Sequence, residues 1–305
     1  MKTNETTVKY NKTTMWKYKE YLASYLFILP ALLLFVIFVV VPMIKGIYVS
    51  FFKDTLSGST FVGVDNYIKI FTEPVFRFKQ SLINTLIIAV FTVPGIIFFS
   101  LFIAVNIYKR NTITRSFVRG AFYLPTVSSI VSIALVWNWI FHPGYGILNY
   151  LLAYEGTDVI AWLADARYAM PLLIFVLLTV SVGQPIIIYI ASLGNIPAAH
   201  LEAASIDGAG GFRQFIYIIW PMLLPTTLYI VIISTINAFG CFSLVQLLTN
   251  GGPYYSTTTI MYQIYQYGFQ LGEYGISGAL GVLLGAIIMI ISAIQYKYFG
   301  SDIEY

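Results

Sequence analysis

The chain has 305 residues, of which 58% are hydrophobic and only 10% charged, with a formal net charge of +4. A soluble domain carries about 25% charged residues, so lipid is the solvent for most of this surface, and so small a positive balance argues against nucleic acid as a partner. A single cysteine, Cys241, excludes an internal disulfide framework and a multi-cysteine metal site. His142 and His200, far apart in sequence, are the only imidazoles, so no metal site is expected.

In chain order, residues 1–21 form a polar, lysine-bearing tail. The apolar run from Tyr21 to Ile44 is longer than the 7–15 residues typical of a signal-peptide core, and it reads as a retained membrane helix. A helix needs about 20 apolar residues to cross a bilayer, and six stretches qualify: 22–46, 82–107, 117–141, 169–193, 222–248 and 274–298. Residues 22–298 thus form one all-α polytopic domain, followed by a tail, 299–305. Pro94, Pro125 and Pro185 lie inside spans and predict kinks, which neighbouring helices can accommodate in a membrane.

Basic residues in the connections set the orientation. With both termini inside, eleven of the 17 Lys and Arg fall on the cytoplasmic side, including Lys109, Arg110, Arg115, Arg119 and Arg213. Seven of the 13 acids, Glu155, Asp158 and Asp165 among them, fall outside. Trp137, Trp139 and Trp162 lie near the outer boundary and read as interfacial anchors. Ser277, Gly281 and Gly285 place small residues on one face of the last span, a pattern that lets helix backbones approach closely.

Polar groups stranded at membrane depth face a cavity or another helix. Ser181 and Gln184 in the fourth span, and Ser234, Asn237 and Cys241 on one face of the fifth, are the candidates. Neutral amides and hydroxyls suit hydroxyl-rich ligands; they equally suit hydrogen bonds between helices.

The connection 196–220 is far longer than the usual 4–6 residues. Pro197 opens a short helix through His200, Glu202 and Ala204. Gly208, Gly210 and Gly211 stop it, and a second short helix from Phe212 to Ile219 stops at Pro221. This helix–turn–helix exposes Glu202, Asp207 and Arg213, as an element gripped by a cytoplasmic partner does.

Glu202-Ala203-Ala204, Asp207-Gly208-Ala209, Phe215, Pro221 and Pro225 resemble the EAA loop of binding-protein-dependent ABC importers, in the form typical of the carbohydrate, maltose/oligosaccharide-type branch. Gly63-Val64-Asp65-Asn66-Tyr67, Asn84-Thr85 and Thr249-Asn250-Gly251-Gly252-Pro253 with Thr257 and Thr258 resemble the same branch, although Asn-Gly and Gly-Pro also make a tight turn unaided. The resemblance implies the ABC importer permease (MetI-like) fold with a cytoplasmic coupling helix, in the bacterial inner membrane. It implies that Glu202, Ala203, Ala204, Asp207 and Gly208 couple to an ATPase: Glu202 meeting a base, the alanines packing closely, Gly208 making the turn. It implies as partners a second permease subunit, two ATPase subunits, an extracytoplasmic sugar-binding protein and a sugar substrate. In maltose permeases the substrate contacts come from the fourth and fifth spans, and of the candidates here only Ser234 keeps a matching residue type. No cofactor is expected in this chain, which lacks a GxxxxGK[ST] phosphate loop; ATP and magnesium would belong to the ATPase. The alternatives are an ion-coupled transporter, which would want charges within its spans, and a membrane enzyme, which would want clustered acids or histidines.

Overall fold

The computed structural model describes residues 14–55, 58–153 and 159–300. Most of the N-terminal tail, Glu155, Asp158 and residues 301–305 lie outside that range. Four helices are long and apolar enough to cross a bilayer: Tyr21–Val49 (span one), Pro74–Tyr108 (span two), Gly211–Phe239 (span five) and Tyr274–Tyr298 (span six). Among the described residues two bent helix pairs are together long and apolar enough for a further crossing each: Thr112–Val127 with Ile130–Ile140 (span three, bent 99°) and Ala166–Ser181 with Gly183–Gly194 (span four, bent 45°). Each pair taken as one broken span gives the six expected. One antiparallel ribbon departs from an all-helical plan: β1, Phe52–Thr55, pairs with β2, Gly58–Phe61, with Phe52 opposite Phe61.

The breaks have local causes. In span three the expected kink at Pro125 becomes a full break three residues later. Ser128 turns extended (φ −76, ψ 152), its Oγ donates to the Leu124 carbonyl at 2.8 Å, and Ser129 caps the next helix. The Ser128 hydroxyl shares the Leu124 carbonyl with its own N–H, at 3.2 Å, in the last turn of a helix that already lacks the Pro125 N–H. In span four Pro185 has no N–H to give the Ser181 carbonyl, and one residue earlier Thr126 Oγ1 of span three donates to the Val180 carbonyl at 2.9 Å. Gly183 sits where a β-carbon would strike the Phe122 carbonyl and Thr126, so glycine permits the crossing of spans three and four.

Pro94 does not interrupt span two. Nor does Pro221 end a helix: the expected second short helix continues through it into span five, which therefore starts at Gly211. The turn ahead of Pro221 is widened, with Trp220 N–H reaching back to the Phe215 carbonyl, and Val41 N–H does the same to Val36 ahead of Pro42. A widened turn removes the clash between a proline ring and the carbonyl four residues back. Span five ends at Phe239, short of the expected residue 248; Gly240 closes it and a separate wide turn, Val245–Thr249, follows.

The core joins spans two, four, five and six around Ile88, Leu173, Leu280 and Phe239, with a second cluster around Ile186, Tyr189 and Leu223. Span one contributes none of its apolar window to this core. The small-residue stripe of span six is not where backbones meet. A β-carbon would meet nothing within 4 Å at Gly281 or Gly285; the close approaches are at Gly275, against Phe52 and Asn66, and at Gly278, against Gly46 and Ser50. Of the three tryptophans, Trp139 is exposed, whereas Trp137 packs on Phe141 and Phe175 and Trp162 donates to Asn149 at 3.1 Å.

Candidate functional site

Three groups of sequence-flagged residues fall in three settings. The first is the 196–214 connection. Its helix, Ala198–Ile206, ends in two reciprocal bonds: Gly208 N–H to the Ser205 carbonyl at 3.1 Å and Ala209 N–H to Ala204 at 2.9 Å. This six-to-one closure needs a left-handed residue just past the helix, and Gly208 supplies it at φ +80. Gln214 Nε2 then ties the two arms, donating to Ser205 Oγ at 2.9 Å and the Ala209 carbonyl at 3.0 Å. Leu201 lines a small cavity with Val105, Tyr108, Leu193 and Ile219, the loop's apolar footing on spans two, four and five. Glu202, Ala203, Asp207 and Gly208 are all exposed and Ala204 half-buried, and beside them Ile206 is 86% and Phe212 76% exposed. A hinge closed on itself thus presents one acid pair and two large apolar side chains to the outside. Sequence reading missed Gln214; a lone glutamine beyond a glycine turn carries no pattern.

At the opposite end of the bundle the other motif segments form a buried clasp. Asn66 donates to the Ser50 and Phe52 carbonyls, both at 2.8 Å. Asn84 donates to the Tyr255 and Thr258 carbonyls, both at 2.9 Å, and Thr85 Oγ1 accepts the Ile260 N–H at 3.1 Å. The TNGGP segment turns on Asn250 and Gly251, both at positive φ, and is closed by Thr257 and Thr258 bonding back to Gly252 and Gly251. The expected tight turn is present, with its polar groups consumed internally. Beyond the clasp, Asp165 caps span four: its carboxylate accepts from the Arg167 backbone and guanidinium, which holds its pKa below the usual carboxylate range.

The third setting lies between these ends. A cavity of about 140 Å³ is bounded by Thr92 and Ile96 of span two, Thr126 of span three, Ser181 and Gln184 of span four, and Tyr229, Ser234 and Asn237 of span five. Four of the five proposed path residues therefore share one space. None of the four makes a side-chain hydrogen bond among the described residues, so helix-to-helix bonding does not occupy them. Cys241 is apart from them: it lies past the end of span five, buried, with its carbonyl accepting from Thr259 Oγ1 at 3.1 Å. The expected i, i+7 relation fails because the helix stops at Phe239. Thr92, which sequence reading passed over, is 1% exposed and its hydroxyl has no partner among the described residues. Among the described residues no cluster of three His, Cys, Asp or Glu is placed to hold a metal.

A multi-pass helical bundle with broken helices, a cavity between them lined by apolar residues and a few hydroxyls and amides, and an exposed hinge at one end is the build of a membrane permease. The chain belongs to the family described as the binding-protein-dependent transport system inner membrane component, whose model matches residues 21–305. It is 34% identical to a probable ABC transporter permease protein, YurN, of Bacillus subtilis over 92% of this chain and 97% of that one. It is 31% identical to the sn-glycerol-3-phosphate transport system permease protein UgpA of Agrobacterium fabrum, covering 92% and 96%. A solved bacterial alginate ABC transporter, in complex with a periplasmic protein carrying an alginate pentasaccharide, superposes with a TM-score of 0.81 at 25% identity, covering 93% of this chain and 96% of that one. The family is one of transport-system permease components, which gives no support to an ion-coupled carrier.

Proposed function

We propose that this chain is the permease subunit of an ATP-driven importer of sugars or oligosaccharides. It works by alternating access beside a second permease, with two ATPase subunits below and an extracytoplasmic sugar-binding protein above. ATP and magnesium belong to the ATPase; this chain turns its closure into helix movement. The carrying observation is the 196–214 hinge, whose turn is closed by its own backbone and by Gln214 while Glu202, Ala203, Ile206 and Phe212 are left exposed. Exposed apolar anchors around a rigid turn are how an interface hot spot is built. The basic bias of that side supports placing both termini in the cytoplasm.

Because Gly211–Phe239 is one helix, a push on the hinge travels directly into span five, which carries Ser234 and Asn237 along the cavity wall. Ser181, Gln184, Ser234 and Asn237 are the path residues on this reading, and Cys241 is not. The test is uptake by proteoliposomes holding the co-purified transporter and its binding protein. Accumulation of the sugar bound by that protein should require ATP inside and survive ionophores that collapse sodium and proton gradients. Accumulation driven by an ion gradient without ATP would sink the reading.

A further inference from the structure

The cavity between spans two and five carries an electrostatic signature. Its polar groups come from Thr92, Thr126, Ser181, Gln184, Tyr229, Ser234 and Asn237, and among the described residues no Lys, Arg, His, Asp or Glu lines it. The nearest cation along the lining helices is Arg119, seven residues before Thr126, about two turns or ~10 Å toward the coupling loop. An anion at membrane depth without a cation opposite it is strongly disfavoured, whereas hydroxyls and amides serve a neutral polyol on both donor and acceptor sides.

Thr92 sharpens the point. Thr85, Ser100, Thr227 and Thr235, all buried in helices, each return their hydroxyl to the carbonyl four residues back. Thr92, just as buried, does not, and it faces the cavity. A buried hydroxyl left unpaired is costly; Ser81, equally buried, is unpaired as well, but Thr92 opens on the cavity, where an arriving ligand can satisfy it.

Resting on the reading of this cavity as the cargo path, we propose that the path through this subunit is selective for uncharged polyhydroxyl cargo and excludes phosphate-, sulfonate- and carboxylate-bearing sugars. In this it differs from two of the three proteins named above, whose named cargoes are sn-glycerol 3-phosphate and the acidic polysaccharide alginate. Thr92 is the hydroxyl on span two that closes the hydrogen-bonding ring around a cargo hydroxyl.

The test does not need the cargo to be known. In the assembled transporter with Cys241→Ala, Thr92→Cys is exposed during ATP turnover to neutral methyl methanethiosulfonate and to its anionic sulfonatoethyl analogue. Asn237→Cys, on the facing wall, is measured in parallel in case the Thr92 variant does not assemble. The neutral reagent should modify each cysteine at least tenfold faster than the sulfonate, after correction by their rates with a free thiol. Comparable corrected rates would overturn neutral selectivity and leave the path standing. Labelling by neither reagent at either position would show that the cavity is closed to solutes, removing the path and the selectivity together.

Discussion

The two ends of the bundle use the same kind of motif residue to opposite effect. At the clasp, Asn66, Asn84, Thr257 and Thr258 are each no more than 2% exposed and spend their polar atoms on backbone carbonyls. At the hinge, Glu202, Ala203 and Asp207 are exposed, and the turn is held by backbone bonds and Gln214 instead. Matching a family motif therefore says that a residue matters; burial says for what. The clasp spends its side chains on the scaffold, and the hinge leaves its motif side chains exposed, as the proposed coupling role requires.

Substitutions at the two ends should separate along that line. The largest effect is expected at the hinge: Ala203→Trp fills the close-packing surface and should cut ATP-dependent uptake by about a hundredfold, the scale of a lost hot spot. Its melting temperature in detergent should not move, since the site is exposed. Asn84→Leu should do the reverse. It strands the buried Thr258 carbonyl at about 1–3 kcal/mol and the part-buried Tyr255 carbonyl at less, so the transporter should lose about 1–4 kcal/mol by denaturant unfolding while uptake per folded molecule changes little. Gln214→Ala removes two partly exposed bonds of about 0.5–1.5 kcal/mol each and should lower uptake a few-fold through a looser hinge, read as ATPase activity no longer matched by transport.

The smallest effect belongs to the cap of span four. The Arg167 guanidinium and backbone hold Asp165 below the usual carboxylate range. Its contribution is thus fully present above the ordinary carboxylate pKa and fades as pH falls through the lowered one. A melting-temperature series in acid should show this decline in the wild type, and Asp165→Asn should flatten it.

Much of this was legible in the sequence, and the failures share a cause. Hydropathy marks how much chain crosses the bilayer, so six apolar stretches were visible. It does not mark where Ser128 and Ser129 break a span, or that a widened turn carries the helix through Pro221, because both depend on backbone bonding rather than residue class. Spacing placed Ser181, Gln184, Ser234 and Asn237 on their helices at one depth. It misplaced Cys241, since Gly240 ends the helix that the periodicity assumed, and it passed over Thr92, whose meaning lies in a hydrogen bond not made. Gly281 and Gly285 carry the right spacing for close packing, yet Gly275 and Gly278 do it, because only the fold decides which face meets span one.

The sharpest measurement is a photocrosslink from the hinge. With Ile206 replaced by a benzophenone amino acid in the intact transporter in native membranes, irradiation should yield an adduct to the ATP-hydrolysing subunit, identified by mass spectrometry. Adducts confined to lipid, or to the extracytoplasmic binding protein, would contradict the assignment of this turn as the point where the motor takes hold.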